Sequence, residues 1–205
     1  ENDANAAAYG EFVAGAGRGC QHMTLFTLGT GVGAGVIIDG RVLHGHFDNA
    51  GELGHMIVEI NGEPCPCGQR GCLERYCSAD AVARRASDPS VERKRHDPPI
   101  TAEQVALRAQ QCAPNCARVW NEACLYLAVA CVNVQHAYNS ERIILGGGMS
   151  QAGDFLLSGV RRHLASQGWK LHNDLPELRL AELTADAGLV GAAALLHAHF
   201  SKTEN

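Results

Sequence analysis

The chain has 205 residues, room for one large domain or two small ones, and its 46% hydrophobic and 19% charged content excludes intrinsic disorder. The net charge of −5 comes with no basic face and so offers no footing for nucleic acid; the mixed run VERKRHDP (91–98) reads as a solvated loop. No signal peptide is present and no apolar run reaches the ~18 residues a membrane helix needs, which gives a soluble chain with no membrane partner.

In chain order, residues 4–16 are alanine-rich and predict a helix, with Asp3 placed to cap it. MTLFTL (23–28) predicts a buried strand. GTGVGAG (29–35) has four glycines in seven residues and reads as a turn. GVIID (35–39) and RVLHG (41–45) predict two more strands joined at Asp39-Gly40, a tight hairpin signal. A glycine-rich turn between strands leaves backbone N–H groups open to a phosphate. This one matches neither the P-loop nor the dinucleotide fingerprint, because a strand follows it, and a plain glycine-rich hairpin is the alternative.

GELGHMIVEINGEPCPCGQRGCLE (51–74) carries the strongest signal. His55, Cys65, Cys67 and Cys72 form a Cys3His set, and three of the four lie within eight residues of a loop rich in proline and glycine. Such a loop cannot bury a core of its own, and a metal would supply one. Four nitrogen and sulfur ligands fill the tetrahedral sphere of Zn2+ and leave no place for water, which makes the ion structural. Ordinary buried thiols are the alternative. Glu52 and His55 are three residues apart and share a face if they sit on a helical turn. Glu52 could then accept ligand hydroxyls beside a histidine whose second ring nitrogen is oriented by the metal; alone it would read as a surface acid.

Residues 73–86 predict a helix, and 87–99, with Pro89, Pro98 and Pro99, a linker. Thr101 opens a further helix, and 115–138 is a long, buried one. RIILGGGMSQAG (142–153) reads as strand, triple-glycine turn and helix start, again presenting N–H groups. LRLAEL (178–183) predicts a strand, 186–200 a final amphipathic helix whose Gly191 permits close packing, and SKTEN a frayed tail. Of the other cysteines, Cys112, Cys116, Cys124 and Cys131 lie on helical stretches and read as small core residues. Free thiols beside a thiolate metal site point to a reducing compartment, the cytoplasm. Three strands with hairpins followed by alternating helices and strands suit an α/β layer fold with a mixed sheet.

GELGH followed by CPCGQRGCLE resembles the signature of the ROK family of sugar kinases and sugar-responsive repressors, and the resemblance runs from ENDANAAAYGE to DAGLVGAAALL. It implies an actin-like, ribonuclease-H-like (hexokinase-type) lobe. Residues 1–205 would be the larger, C-terminal lobe. The N-terminal lobe, with its D-x-G-G-T phosphate loop and magnesium-holding aspartate, is not found here, and a chain that opens inside a motif reads as a piece of a longer protein. The implied reaction is ATP-dependent phosphorylation, with Mg2+, of a hexose at its 6-hydroxyl by a homodimer, with the isolated piece inactive. Glucose is favoured because CLERYCSADAVARRA resembles the glucokinase-like branch. Asp3 matches the catalytic base. Asn2, Glu52, His55 and Glu74 match sugar ligands. Gly29, Thr30 and Gly31 match the second phosphate loop, and Gly146, Gly147 and Gly148 the turn near the adenosine. Asn139-Ser140 departs from the family's usual Asn-Pro. A sugar-sensing repressor fragment, a kinase for mannose, fructose or an N-acetylated hexosamine, and an inactive sugar- and zinc-binding remnant remain as alternatives.

Overall fold

The computed structural model describes residues 2–87, 99–167 and 175–203; the run VERKRHDP and nearly all of the expected linker lie outside them. Five strands form one sheet: β1 (Met23–Leu28), β2 (Val32–Ile38), β3 (Arg41–Val42), β4 (Arg142–Gly146) and β5 (Glu177–Leu180), in the order β3-β2-β1-β4-β5. β2 runs antiparallel to β1 and β3, while β1, β4 and β5 are parallel. This is the mixed sheet expected of an actin-like lobe.

The period-2 alternation of the strands sorts their side chains between two layers. Phe26, Leu28, Val36, Ile143 and Leu145 face α2 (Glu74–Cys77), α3 (Ala79–Ala86), α4 (Ala102–Gln110), α5 (Pro114–Tyr138) and α6 (Asp154–Gln167). Met23, Leu25, Ile37 and Ile144 face α1 (Asp3–Ala14) and α7 (Ala187–Thr203). α1 lies close on β2, where a Cβ at Gly35 would come within 2.8 Å of the Ala4 carbonyl.

Several boundaries differ from the sequence expectation, each for a local reason. Asn2, not Asp3, caps α1: its Oδ1 accepts the Asn5 N–H at 2.7 Å, and Asp3 is the first helical residue. Only 29–31 of the glycine-rich stretch is turn, because Val32 to Gly35 already pair with β1. The 39–40 hairpin forms as expected, with both residues at positive φ, but β3 ends after two residues. The helix expected over 73–86 is broken at Ser78, whose extended backbone ends α2 and whose hydroxyl caps α3 through the Ala81 N–H. A 3-10 turn, Gly148–Ala152, separates the triple glycine from α6. α7 continues to Thr203, into the segment expected to fray, since no glycine or proline stops it there. Cys116, Cys124 and Cys131 are buried, but Cys112 is exposed at positive φ between α4 and α5 and is not a core residue.

Glu11 is fully buried in α1. Its carboxylate accepts the N–H groups of Ala16 at 2.7 Å, Glu182 at 3.1 Å and Leu183 at 2.8 Å. The last two bonds draw residues 182 and 183 out of the expected strand, so pairing stops near Leu180. Glu11→Ala leaves three backbone donors without their acceptor, at roughly 1–3 kcal/mol for each buried group left unsatisfied. We expect a loss of about 3 kcal/mol or more in urea unfolding, with Glu11→Gln intermediate because one carbonyl oxygen remains. An unchanged midpoint would show that these N–H groups find other partners.

Candidate functional site

The ligating atoms of His55, Cys65, Cys67 and Cys72 all lie within 4.8 Å of one another. His55 Nδ1 is 3.7 Å from Cys65 Sγ, and the sulfurs of Cys67 and Cys72 are 3.6 Å apart. For a Zn–S bond of ~2.3 Å, the edge of a tetrahedral sphere is about 3.8 Å, so the spacing fits a shared ion and not a disulfide. The Gln69 backbone N–H lowers the Cys67 thiol to about 7, whereas burial pushes Cys72 up to about 12. A cation would relieve the cost of charge at Cys72. The loop is also braced from outside, where Arg75 and Arg85 approach the Glu63 carboxylate at 3.7 and 3.4 Å.

The other candidates gather at the start of β2. Leu53–His55 is a 3-10 turn opened by Glu52, whose carbonyl accepts the His55 N–H at 3.1 Å; Glu52 is exposed and His55 half-buried. This turn presses on β2 so closely that a Cβ at Gly54 would lie 1.9 Å from the Val32 carbonyl oxygen. Glu74 reaches the same residue from the other side, its Oε2 accepting the Val32 N–H at 3.0 Å. α1 brings Asn2 and Asp3, both exposed, to the end of the helix that overlies β2. Asp3 Oδ1 accepts the Ala4 N–H at 2.8 Å, and an acid in the first turn also suits the helix dipole. With Nδ1 of His55 turned to the sulfurs, Nε2 is the nitrogen left for a ligand.

The two glycine turns are neighbours because β1 and β4 pair in parallel, with Thr27 opposite Gly146. A Cβ on Gly147 would lie 2.6 Å from the Leu28 nitrogen. Gly29 donates to the Gly31 carbonyl at 3.0 Å, which closes the first turn on itself. The N–H groups of Thr30 and Gly31 have no partner among the described residues. Beside the second turn opens a cleft of about 440 Å3, lined in part by Ala79, Leu107, Trp120, Gly148, Met149 and Gln151. A cleft of this size and largely apolar lining suits a small organic ligand.

Residues 1–199 match the ROK family. The chain belongs to the ROK family. A glucokinase of Halalkalibacterium halodurans is 39% identical over 205 residues, covering 96% of this chain and 62% of that protein. The structure of a ROK glucokinase from Streptomyces griseus, in complex with glucose and AMPPNP, is 33% identical with a TM-score of 0.79, over 95% of this chain and 66% of that one. A xylose repressor of Bacillus subtilis is 28% identical over 98% of this chain and half of its own length. The chain thus spans less than two thirds of the curated relatives it matches.

In this ROK chain Glu74 and the Leu53–His55 turn both meet Val32, and the two glycine turns lie side by side at the ends of β1 and β4. Three features went unread. The cleft wall supplied by α4 and Trp120 carries no motif. Ser78, which breaks the helix and frees the Ala79 N–H for the Gly29 carbonyl at 2.7 Å, stood in a helix-like run, although serine is a common cap. The bond from Glu74 to Val32 joins residues 42 apart and leaves no local trace.

Proposed function

We propose that this chain is the larger lobe of an ATP-dependent hexose kinase that transfers the γ-phosphoryl group to a 6-hydroxyl, with glucose as the substrate. The observation that supports the reading is the grip of the Glu74 carboxylate and the Leu53–His55 turn on Val32, beside a glycine turn with open N–H groups and on the strand that α1 overlies. Phosphoryl transfer asks for positioning and charge stabilisation more than covalent chemistry. In this reading Asp3 takes the hydroxyl proton. The Asn2 amide, Glu52, Nε2 of His55 and Glu74 hold the sugar. Thr30 and Gly31 offer N–H groups to the phosphates, and Gly146, Gly147 and Gly148 form the turn near the adenosine, with Gly148 lining the cleft that would take it.

Zn2+ would be held by His55, Cys65, Cys67 and Cys72, with its sphere filled by protein; it would supply rigidity to the loop and no reactive water. Mg2+ would arrive with ATP and meet a preceding lobe bearing the first phosphate loop. The assembled enzyme would be a cytoplasmic homodimer. The free thiols support the compartment, and among the described residues no helix is long and apolar enough to cross a membrane.

The experiment is a coupled ADP-release assay over glucose, mannose, fructose and N-acetylated hexosamines. It compares the 205-residue chain with its longer form carrying the preceding lobe. Turnover with glucose by the longer form only is expected, and the same turnover by the 205-residue chain would show the lobe to be dispensable. A repressor domain, the second reading suggested by the xylose repressor, would bind sugar at the same residues and release no ADP. Glu52→Gln removes a charged acceptor and leaves the metal ligands whole. We expect it to raise the sugar KM about tenfold, a difference of ~1.4 kcal/mol, with zinc content unchanged. An unchanged KM would return Glu52 to the surface.

A further inference from the structure

Glu74 does more than face a ligand. Its Oε2 accepts the Val32 N–H at 3.0 Å, and a Cβ on Gly31 would lie 2.5 Å from the same oxygen, so the carboxylate rests on the turn itself. Five residues further on, past the break at Ser78, the Ala79 N–H donates to the Gly29 carbonyl at 2.7 Å. The turn from Gly29 to Val32 is therefore gripped at both ends by one short segment.

That segment is in turn built on the Cys/His loop. Cys72, fully buried, pairs with Ile57 in an isolated bridge. The Leu73 N–H donates to the Met56 carbonyl at 2.9 Å, next to His55, and the Arg75 N–H to the Cys72 carbonyl at 3.0 Å. The Tyr76 hydroxyl accepts the Glu63 N–H at 2.8 Å, fastening α2 to the loop. Between the ligand Cys72 and Glu74 stands only Leu73, which has no exposed surface. No flexible stretch separates the metal ligands from the hydrogen bonds that shape the turn.

We propose that Glu74 is a positioning residue that couples the Cys/His cluster to the Gly29–Val32 turn, so that the turn holds its shape only when the cluster holds its ion. Its consequence for nucleotide binding rests on the kinase reading above, whereas the coupling itself does not. Only one carboxylate oxygen is engaged by the turn, so a sugar hydroxyl on the other would act on the turn as well. Coupling between sites is reciprocal.

The test is amide hydrogen exchange by NMR on the 205-residue chain loaded with Zn2+, in the wild type, Glu74→Ala and Glu74→Gln. In Glu74→Ala the Val32 amide should exchange about tenfold faster with zinc still bound, and in Glu74→Gln, which keeps a carbonyl acceptor, near the wild-type rate. Chelation of the wild type should speed Val32 and Ala79 while the amides of the β1–β4 ladder stay protected. Should chelation unfold the whole chain, zinc affinity measured against a chromophoric chelator decides: by reciprocity Glu74→Ala binds zinc several-fold more weakly and Glu74→Gln does not. Equal zinc affinity in all three proteins, or chelation that loosens 63–72 and leaves Val32 and Ala79 unchanged, overturns the coupling. An AMPPNP titration separates the two readings, because failure to bind counts against the kinase and leaves the exchange result standing.

Discussion

In the two-lobed kinase proposed above, Asp3→Asn should keep the fold and the sugar affinity and lower kcat by about 10²–10⁴-fold, the usual effect of losing a positioned general base. The replacement is nearly isosteric, and its carbonyl oxygen can still accept the Ala4 N–H that Asp3 Oδ1 accepts. The helix keeps its cap because Asn2, not Asp3, supplies it. A loss of rate therefore cannot be put down to a frayed helix. ADP release at saturating glucose, with circular dichroism on the same sample, measures both quantities. Full kcat in Asp3→Asn would leave Asp3 as a carboxylate at a helix start and nothing more.

The second large effect is expected at the metal loop. Cys72→Ser and Cys67→Ser should each reduce bound zinc from one ion per chain to near zero, read by metal analysis. Cys72 has the greater structural effect because it is fully buried and bridged to Ile57, whereas Cys67 is exposed. Apparent zinc binding energies in small thiolate sites reach about 10–16 kcal/mol at neutral pH, enough to decide whether a loop without its own core is ordered. The thiols must lose protons to bind, so zinc affinity should fall as pH falls. A full complement of zinc in a protein lacking all four side chains would refute the site.

The Cys/His cluster was legible because metal-binding chemistry needs particular residues at particular spacings, and the hairpin at 39–40 because both its residues must take positive φ. Asp3 was misread by one position. Asn2 and Asp3 are both good caps, and only the geometry of the first turn separates them. Cys112 was misread because helical composition continues through a point where the backbone turns left-handed. Glu11 carried no signal at all. An acid in an alanine-rich helix looks like a solvated one, and its decisive partners lie 171 and 172 residues away. Strand ends were overestimated at β3 and β5 because hydrophobicity persists beyond the last ladder bond.

The crossing of α1 and α7 carries a consequence for how the protein assembles. The two helices touch backbone to backbone, so that a Cβ on Gly191 would lie 1.7 Å from the Ala6 carbonyl oxygen and one on Gly10 2.1 Å from that of Ala187. They stand at opposite ends of the described chain, and the loop closed by their contact is longer than any the sheet requires. Closure entropy rises with loop length, and contacts between distant segments form slowly. The helix that bears Asp3 leaves the ribosome well ahead of the helix that holds it down. In the interval the face of α1 that α7 will cover lies open, and an exposed apolar helix face in a nascent chain is where misassembly begins. The tight glycine crossing thus makes the aspartate's final position one of the last things the chain acquires.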